Sequence, residues 1–399
     1  MGTFLVSWQK GTDLTLAPRA LHIIAGLALL ALAGCVTKQP AAPIAPTAHF
    51  EAVKWSKLPG WNIDDTLAAW PALLSSCSVI SKRHEWATFC NAAVATSPMD
   101  AEFVRSFMEQ HLTPYRVLRV TGRKREKTGL VTGYYEPLLR GSRERSEQFA
   151  TPLYRRPADL LIVDLSAVIP ELKGKRVRGR LEGNKVVPYY SRSGTREAPG
   201  LAGHEIVWID DPLDAFLLEV QGSGRVQLTT GETIRLQYED QNGHPYRSIG
   251  RYLVDQGAFP LAEANMPAIR RWLAANPARL EEVLDSNPSV VFFREAPLDD
   301  PSIGPKGAQA VPLTAGRSIA VDPSFLPLGA PMFLATTDPA SKLPLRRLVV
   351  AQDTGGAIRG PIRADLYFGF GAFAGAHAGM MKYDGEIWVL WPKGAAPPR

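Results

Sequence analysis

The sequence lacks the residues and patterns on which several large protein classes depend. Only three cysteines occur in 399 residues, too few for a disulfide scaffold or a four-cysteine zinc site. The seven histidines form no His-x₃-His pair. No Cys-x₂-Cys pair, phosphate-binding G-x₄-GK[ST] loop or Gly-x-Ser-x-Gly elbow of a serine hydrolase is present. We therefore predict a protein that uses neither a metal nor a cofactor.

Glycine and proline, in contrast, are abundant. The chain has 34 glycines and 33 prolines, with no collagen-like period. This excess disfavours a helical bundle or coiled coil and favours strands joined by many turns. The length allows two domains of roughly 150 residues each. A net charge of +6 suits an anionic partner such as nucleic acid, a membrane face or an acidic polymer.

The N-terminal segment has the features of a secretory signal. Two basic residues, Lys10 and Arg19, precede an apolar stretch over residues 21–34. That stretch is shorter than the ~18–20 residues needed to span a bilayer. The sequence Leu-Ala-Gly-Cys ending at Cys35 resembles a bacterial lipobox, which implies lipidation of Cys35 after removal of residues 1–34. Val36 stands where inner-membrane lipoproteins usually carry aspartate, so the outer membrane is favoured.

Residues 35–50 are predicted to be a tether. Prolines at positions 40, 43 and 46 prevent a helix or a central strand. We expect an outer membrane lipoprotein whose folded part faces the periplasm, which excludes nucleic acid as a partner. In that oxidising compartment a disulfide between Cys77 and Cys90 is plausible, because both lie in predicted helices; two buried free thiols are the alternative.

The rest of the chain alternates between segments predicted to be helical and segments predicted to be β-strands. Residues 60–125 are predicted to be mainly helical, with a helix start at Ser97. Strands are predicted near residues 130–136, 205–209, 215–220, 225–228 and 233–238, the last two joined by a hairpin turn, and helices return over 245–286. Strands then continue to the end, near 290–293, 318–321, 332–335, 345–351 and 387–391. The pattern predicts a mainly β, α+β protein with a discontinuous body and an inserted β domain.

Two aspartates are candidates for chemistry. Asp353 begins an Asp-Thr-Gly sequence after an apolar run, which is typical of aspartic proteases, but no second copy is present. A turn aspartate that binds backbone amides is the simpler interpretation. Asp365 is flanked by apolar and aromatic residues, so burial would raise its pKa as a general acid requires. Its alternative role is a buried structural carboxylate paired with Arg359 or Arg363.

Several motifs together resemble one known family. The segments are Gly133–Pro137, Val220–Gly224, Asn242–Gly250, Asn287–Ser289 with Phe292 and Phe293, Ala320–Pro323, Val350–Gly360 and Arg363–Asp365. The last three are similar to the three-aspartate, or 3D, domain. All of them, in this order, resemble the membrane-bound lytic murein transglycosylase A family.

The resemblance implies a fold and an activity. The fold is a double-psi β-barrel body, related to barwin-like endoglucanases, with a second β-barrel inserted and glycan in the cleft between them. We expect the body at 51–137 and 241–399, with the 3D domain at about 310–392 and the insert at 138–240. The family cleaves the β-1,4 bond between N-acetylmuramic acid and N-acetylglucosamine in peptidoglycan and leaves 1,6-anhydromuramoyl ends.

The resemblance also implies roles for particular residues. Asp365 matches the catalytic acid, which then acts as base, while Asp353 and Asp322 support it. Candidates for the glycan-binding wall are Gln221, Ser223, Tyr246, Arg247, Tyr134 and Tyr135. The expected partners are peptidoglycan strands and, as a further possibility, other cell-wall enzymes. Two alternatives stay open: a glycoside hydrolase that uses Asp365 and Asp353 as a pair, and a wall-binding lipoprotein without activity.

Overall fold

The computed structural model describes residues 45–173, 175 and 177–398. The predicted signal peptide, Cys35 and most of the predicted tether lie outside these residues. No helix in the described part is long and apolar enough to cross a membrane. Residues 47–50, predicted as the end of the tether, instead begin strand β1 (Thr47–Ala52), which pairs with β2. The last proline of the tether is Pro46, so nothing prevents an extended strand beyond it.

The described elements are numerous and short. The strands that follow β1 are β2 (Leu112–Thr121), β3 (Lys124–Glu126), β4 (Gly129–Glu136), β5 (Leu138–Ser142), β6 (Thr151–Tyr154), β7 (Leu161–Ile162), β8 (Arg178–Glu182), β9 (Lys185–Pro188), β10 (Glu205–Ile209), β11 (Ser223–Leu228), β12 (Thr233–Gln241), β13 (Val291–Ala296), β14 (Ser318–Val321), β15 (Pro331–Thr337), β16 (Pro344–Asp353), β17 (Ala364–Phe370) and β18 (Lys382–Pro392). The α-helices are α1 (Trp70–Ile80), α2 (His84–Val94), α3 (Ala101–His111), α4 (Arg192–Thr195), α5 (Pro212–Gln221), α6 (Ile249–Asp255), α7 (Met266–Ala275), α8 (Leu280–Asp285) and α9 (Gly371–Met380). Short 3₁₀ helices lie at Trp55–Lys57, Thr66–Ala69, Pro170–Leu172, Pro199–Leu201, Leu261–Glu263 and Pro277–Arg279.

Six strands of the largest sheet close on themselves. The hydrogen-bonded order is β4, β17, β14, β16, β15 and β18, and β18 pairs back to β4. Two of the pairs, β14 with β16 and β17 with β4, are parallel, and the others are antiparallel. The interior is filled by apolar side chains such as Ile319, Met332, Val349 and Leu366, all fully buried. Closure leaves none of these six strands as an open edge.

The first three helices pack on this barrel. Cys77 of α1 and Cys90 of α2 are joined by a disulfide, and their Cα atoms lie 5.3 Å apart. The helix expected to begin at Ser97 begins instead at Ala101, because the Asp100 side chain accepts the hydrogen bond from the N–H of Phe103. Residues 112–121, predicted to be helical, form strand β2, which extends the sheet beyond β18.

A second sheet of six strands has the order β13, β12, β11, β5, β10 and β6. A bridge between Arg155 and Phe293 links its two ends. The last strand, β13, lies beyond residue 240, where we expected the inserted domain to end. Because β13 pairs with β12 throughout its length, we infer that the insert extends to Ala296. A small third sheet contains β7, β8 and β9.

The prediction of a strand at residues 215–220 is wrong, because this segment lies in helix α5. Asp211 caps the helix by accepting hydrogen bonds from the N–H groups of Leu213 and Asp214. Gly222 ends it in the left-handed conformation, with φ of 79°. The apolar residues therefore follow a helical period, and Leu213 and Phe216 pack against helices α6 to α8.

Buried charges join the two large sheets. Glu136, at the end of β4, is fully buried and accepts hydrogen bonds from Arg225 Nε at 2.9 Å and Arg235 Nε at 2.7 Å. The two arginines, on β11 and β12, also donate to the carbonyl oxygens of Pro301 and Ile303. Removing one partner of such a cluster would leave an uncompensated charge in the interior. The cluster therefore fixes the insert to the barrel, next to residues 301–303, where the chain runs from the insert back to the barrel.

Candidate functional site

Two of the predicted aspartates lie on one outer face of the barrel. Ala320 of β14 is the register partner of Asp353 on one side and of Asp365 on the other. Cross-strand partners point to the same face of a sheet, and neighbouring strands are about 4.8 Å apart, so the two Cα atoms lie roughly 10 Å apart. The register shifts on β16 between the partners of Ile319 and Ala320. This bulge turns Asp353 toward Asp365.

Asp365 is partly buried and has one protein contact of high specificity. Thr132, its register partner on β4, donates a hydrogen bond from Oγ1 to Asp365 Oδ1 at 2.6 Å. Arg363 Nη2 in turn donates to Thr132 Oγ1 at 2.8 Å. The single hydroxyl proton of Thr132 is thereby directed to Asp365. Within the described residues, Asp365 Oδ2 accepts no hydrogen bond from the protein, so this oxygen is available to a ligand.

The surroundings of Asp365 favour its protonated form. Burial raises the pKa of this carboxyl to about 6, and the nearby Asp353 contributes in the same direction. The Thr132 hydrogen bond and the positive charge of Arg363 oppose this rise but do not cancel it. No ion pair joins Asp365 to either arginine proposed as a structural partner in the described part of the chain. The structural alternative for Asp365 therefore has no direct partner to support it.

Donors from three different parts of the chain hold the Asp353 carboxylate. Its Oδ1 accepts hydrogen bonds from the N–H groups of Ala308 and Thr354, each at 2.9 Å, and its Oδ2 accepts one from Tyr134 Oη at 2.9 Å. Tyr134 itself is buried, and burial together with the two neighbouring carboxylates raises its pKa well above the usual value. The hydroxyl of Tyr134 therefore stays protonated and serves as a donor.

Asp322 has a different environment from the other two. It is only 3% exposed and follows β14 directly. Its carboxylate accepts hydrogen bonds from the N–H groups of Ser324 and Gly360, at 3.1 and 2.8 Å. Gly360 has φ of 109°, a conformation that favours glycine. Asp322 thus fixes the loop between Asp353 and Asp365 to the end of β14.

The predicted glycan-binding residues are only partly brought together. Tyr135 follows Tyr134, and its N–H donates to Gln221 Oε1 at 3.1 Å, so the insert meets the barrel here. Ser223 is almost buried in β11. Among the described residues, no hydrogen bond or ion pair connects Tyr246 or Arg247 to the aspartates; the N–H of Arg247 donates to Asn287 instead.

Sequence reasoning missed several residues that shape this site. Arg363 lies inside a segment that carries the family resemblance and Thr132 directly precedes one, yet nothing local identifies their contacts, since Thr132 and Asp365 are 233 positions apart. Ala308 contributes only its backbone, which no side-chain pattern reveals. In the residues that the structure describes, no three His, Cys, Asp or Glu side chains are arranged to hold a metal ion.

Comparisons with known proteins agree with the motifs. The family model described as the MltA specific insert domain matches residues 130–294, and the 3D domain model matches residues 317–391. Membrane-bound lytic murein transglycosylase A of Escherichia coli K12 is 33% identical over 267 residues, which cover 65% of this chain. The match spans 64% of that curated relative.

Solved structures extend the similarity to most of the chain. A monoclinic crystal structure of MltA from Neisseria gonorrhoeae is 34% identical, with a TM-score of 0.75, over 90% of this chain and 98% of that one. A structure of E. coli MltA with bound chitohexaose is 25% identical, with a TM-score of 0.63, over 90% of this chain and 98% of that one. This chain therefore belongs to the membrane-bound lytic murein transglycosylase A family.

Proposed function

We propose that the protein is a lytic transglycosylase of peptidoglycan. It cleaves the β-1,4 bond between N-acetylmuramic acid and N-acetylglucosamine and leaves a 1,6-anhydromuramoyl end, in turnover and remodelling of the cell wall. The observation that carries this proposal is Asp365: a carboxyl with a pKa raised to about 6 and one oxygen available to a ligand. The curated relatives, named lytic murein transglycosylases, support the same activity.

One carboxyl suffices for this reaction. Protonated Asp365 donates its proton to the glycosidic oxygen, and the bond from C1 to that oxygen breaks with its electrons on the leaving sugar. The C6 hydroxyl of N-acetylmuramic acid then attacks C1, and the Asp365 carboxylate accepts the hydroxyl proton. An ordinary glycosidase needs a second carboxyl for water or for a covalent bond. Here the nucleophile belongs to the substrate, which also supplies a proximity advantage.

The neighbouring groups support Asp365 without replacing it. The charge of Asp353 helps to keep Asp365 protonated in the resting state, and Tyr134 holds Asp353 in place. Asp322 acts indirectly, because it accepts a hydrogen bond from Gly360 and so positions the loop after Asp353. The Thr132 hydroxyl stabilises the Asp365 carboxylate once the proton has left, which limits the cost of the first step.

The glycan strand is proposed to bind between the two large sheets. The chitohexaose in the E. coli structure is a glycan of the same β-1,4 linkage, which supports a polysaccharide partner. Tyr135 and Gln221 meet where the insert approaches the barrel, so they are the strongest wall candidates. Ser223, Tyr246 and Arg247 remain proposals. The closed six-strand ring with two parallel pairs supports, in finer detail, a double-psi, barwin-like barrel.

The location follows from the N-terminal sequence. We propose an outer membrane lipoprotein anchored through Cys35 and facing the periplasm, where other cell-wall enzymes are potential partners. Cys35→Ser should prevent lipidation, so the protein should leave the outer membrane fraction. A variant that stays in that fraction with the mass of a normal mature chain would contradict the anchor.

Digestion of peptidoglycan with the purified protein tests the activity. Mass analysis of the products should show 1,6-anhydro ends from the wild type. Asp365→Asn should lose three or more orders of magnitude in turnover, given about 10²–10⁴ for each general acid or base role. Asp353→Asn should lose less. The exposed Asp299→Asn serves as the matched control and should keep wild-type turnover.

A two-carboxylate hydrolase is the second candidate. The shared register partner and common face of Asp353 and Asp365 favour it, because inverting hydrolases separate their carboxyls by about 6.5–9.5 Å. Hydrolysis produces a reducing sugar, so reducing ends in place of anhydro ends would establish this alternative. Binding of glycan without any product would instead establish a wall-binding protein without activity.

A further inference from the structure

The carboxylate of Asp353 depends on a tight turn in the segment that returns from the insert. The Gly307 N–H donates to the Val311 carbonyl, and the Ala310 N–H donates to the Gly307 carbonyl. Ala310 has φ of 64°, a left-handed conformation that costs a residue with a Cβ about 1 kcal/mol or more. A conformation of this kind persists only where the surroundings fix it.

The turn lies directly against the end of β16. A Cβ added to Gly307 would come within 2.5 Å of the Gln352 carbonyl oxygen and 3.2 Å of Asp353 Cβ. The backbone N–H of Gln309 donates to that same carbonyl at 3.0 Å. From this turn, the Ala308 N–H reaches the carboxylate and donates to Asp353 Oδ1. The position of the turn therefore sets the position of that donor.

Helix α1 holds the turn from the other side. Ser76 Oγ shares its proton between Gln309 Oε1 and the Gly329 carbonyl, each at 2.8 Å, and Gln309 Nε2 donates back to the Ser76 carbonyl at 3.3 Å. Both residues are buried: Ser76 is fully buried, and Gln309 is 5% exposed. Gln352 makes a parallel contact, because its Nε2 donates to the Ala72 carbonyl of the same helix at 2.8 Å.

We propose that Ser76 and Gln309 are positioning residues for Asp353. Their reciprocal hydrogen bonds fix the turn at residues 307–310, and the turn fixes the Ala308 N–H that holds one oxygen of Asp353. This assigns a role in the site to helix α1, which carries none of the family motifs. The consequence for catalysis rests on the function proposed above, in which Asp353 supports Asp365.

The pH dependence of turnover distinguishes positioning from mere structural support. The charged and titratable groups facing Asp365 are Arg363, Asp353 and Tyr134, beside the hydroxyl of Thr132, and Asp353 raises the pKa of Asp365. Ser76→Ala leaves the turn without its anchor, so the Asp353 charge moves and contributes less. The pKa of Asp365 then falls, and the alkaline limb of the kcat profile should move to lower pH.

Two variants and a control complete the experiment. Ser76→Ala and Gln309→Met should each lower kcat by roughly tenfold, the effect of about one lost hydrogen bond, with little change in KM. The double variant should shift the limb no further than either single variant. Ser78→Ala is the control, because Ser78 lies on the same helix, is exposed and donates only to the Ser75 carbonyl. It should keep the wild-type profile.

The outcomes separate this inference from the proposed function. Folded Ser76→Ala and Gln309→Met proteins with the wild-type alkaline limb would overturn the positioning role, as would two variants that simply fail to fold. An active Asp365→Asn variant would instead refute the proposed function, whatever the Ser76 results. Loss of turnover in Asp365→Asn together with the expected shift in Ser76→Ala supports both.

Discussion

Thr132→Val tests the protonation of Asp365 with a nearly isosteric change. The substitution removes the hydroxyl that donates to Asp365 Oδ1 at 2.6 Å and through which Arg363 reaches that carboxylate. This hydrogen bond stabilises the charged form of Asp365 more strongly than the protonated form. Its removal therefore raises the pKa of Asp365 further. An acid that must start protonated then stays protonated to higher pH.

The magnitude follows from the contacts. A hydrogen bond to a charged group contributes about 1.5–3 kcal/mol, and one pKa unit corresponds to about 1.4 kcal/mol. Asp365 is partly exposed, and water replaces some of the lost interaction, so we take the lower end. The pKa of Asp365, about 6 in the wild type, should rise by roughly one unit.

The assay is the kcat profile for release of anhydro products from soluble glycan fragments between about pH 4 and 9. The alkaline limb should move up by about one pH unit in Thr132→Val. Thr121→Val removes a buried hydroxyl that has no hydrogen-bond partner, so it is the matched control. A limb that stays in place, or moves to lower pH, would refute the assignment of Asp365 as the acid.

The remaining predictions concern stability and the second carboxylate. Burial raises the pKa of Asp365 to about 6 in the folded protein. As pH rises from about 4 to 6, Asp365 therefore ionises in the unfolded chain before it ionises in the folded one, which lowers the free energy of unfolding. Asp365→Asn cannot ionise and should gain up to about 3 kcal/mol over the wild type at pH 7 but nothing near pH 3, measured by urea unfolding. Replacing both disulfide cysteines, by Cys77→Ser with Cys90→Ser, should lower the free energy of unfolding by about 3 kcal/mol, which is measured as a lower melting temperature. Turnover at low temperature should persist in this variant. Tyr134→Phe removes the donor to Asp353 Oδ2 and should lower kcat roughly tenfold with little loss of stability.

Each of these has a contrary result. An Asn variant no more stable than the wild type at pH 7 would mean that ionised Asp365 is not penalised in the fold. Equal melting with and without the disulfide would mean that α1 and α2 are held by packing alone. Wild-type turnover in Tyr134→Phe would remove the reason to regard Asp353 as held by this hydroxyl.

The sequence predicts those parts of the fold that depend on local pattern. Strands β14 to β18 are apolar runs bounded by turns, and most were placed within a few residues. The helix at 212–221 was missed because short apolar runs do not distinguish a buried strand from a helix, although Asp211 and Gly222 mark its ends. The pairing of β13 with β12, from which we infer that the insert extends to Ala296, could not be predicted, because it depends on contacts across the intervening helices.

The candidate site divides in the same way. The aspartates lie in recognisable motifs, so Asp353 and Asp365 were singled out from the sequence. Their mutual arrangement depends on a bulge in β16 and on a shared partner in β14, which is tertiary information. Thr132 comes from the other end of the chain and reaches Asp365 only when the barrel closes.

Barrel closure also determines when the site exists during folding. Strand β4 pairs with β17 and β18, although the whole insert and much of the barrel separate them in the chain. Contacts of such long range form slowly, because the entropy of closing the loop must be overcome first. During synthesis β4 emerges long before its partners, so the insert has time to fold while β4 waits unpaired. Thr132 and Asp365 come together only when β4 meets β17, so the proposed acid gains its hydroxyl donor when the barrel closes.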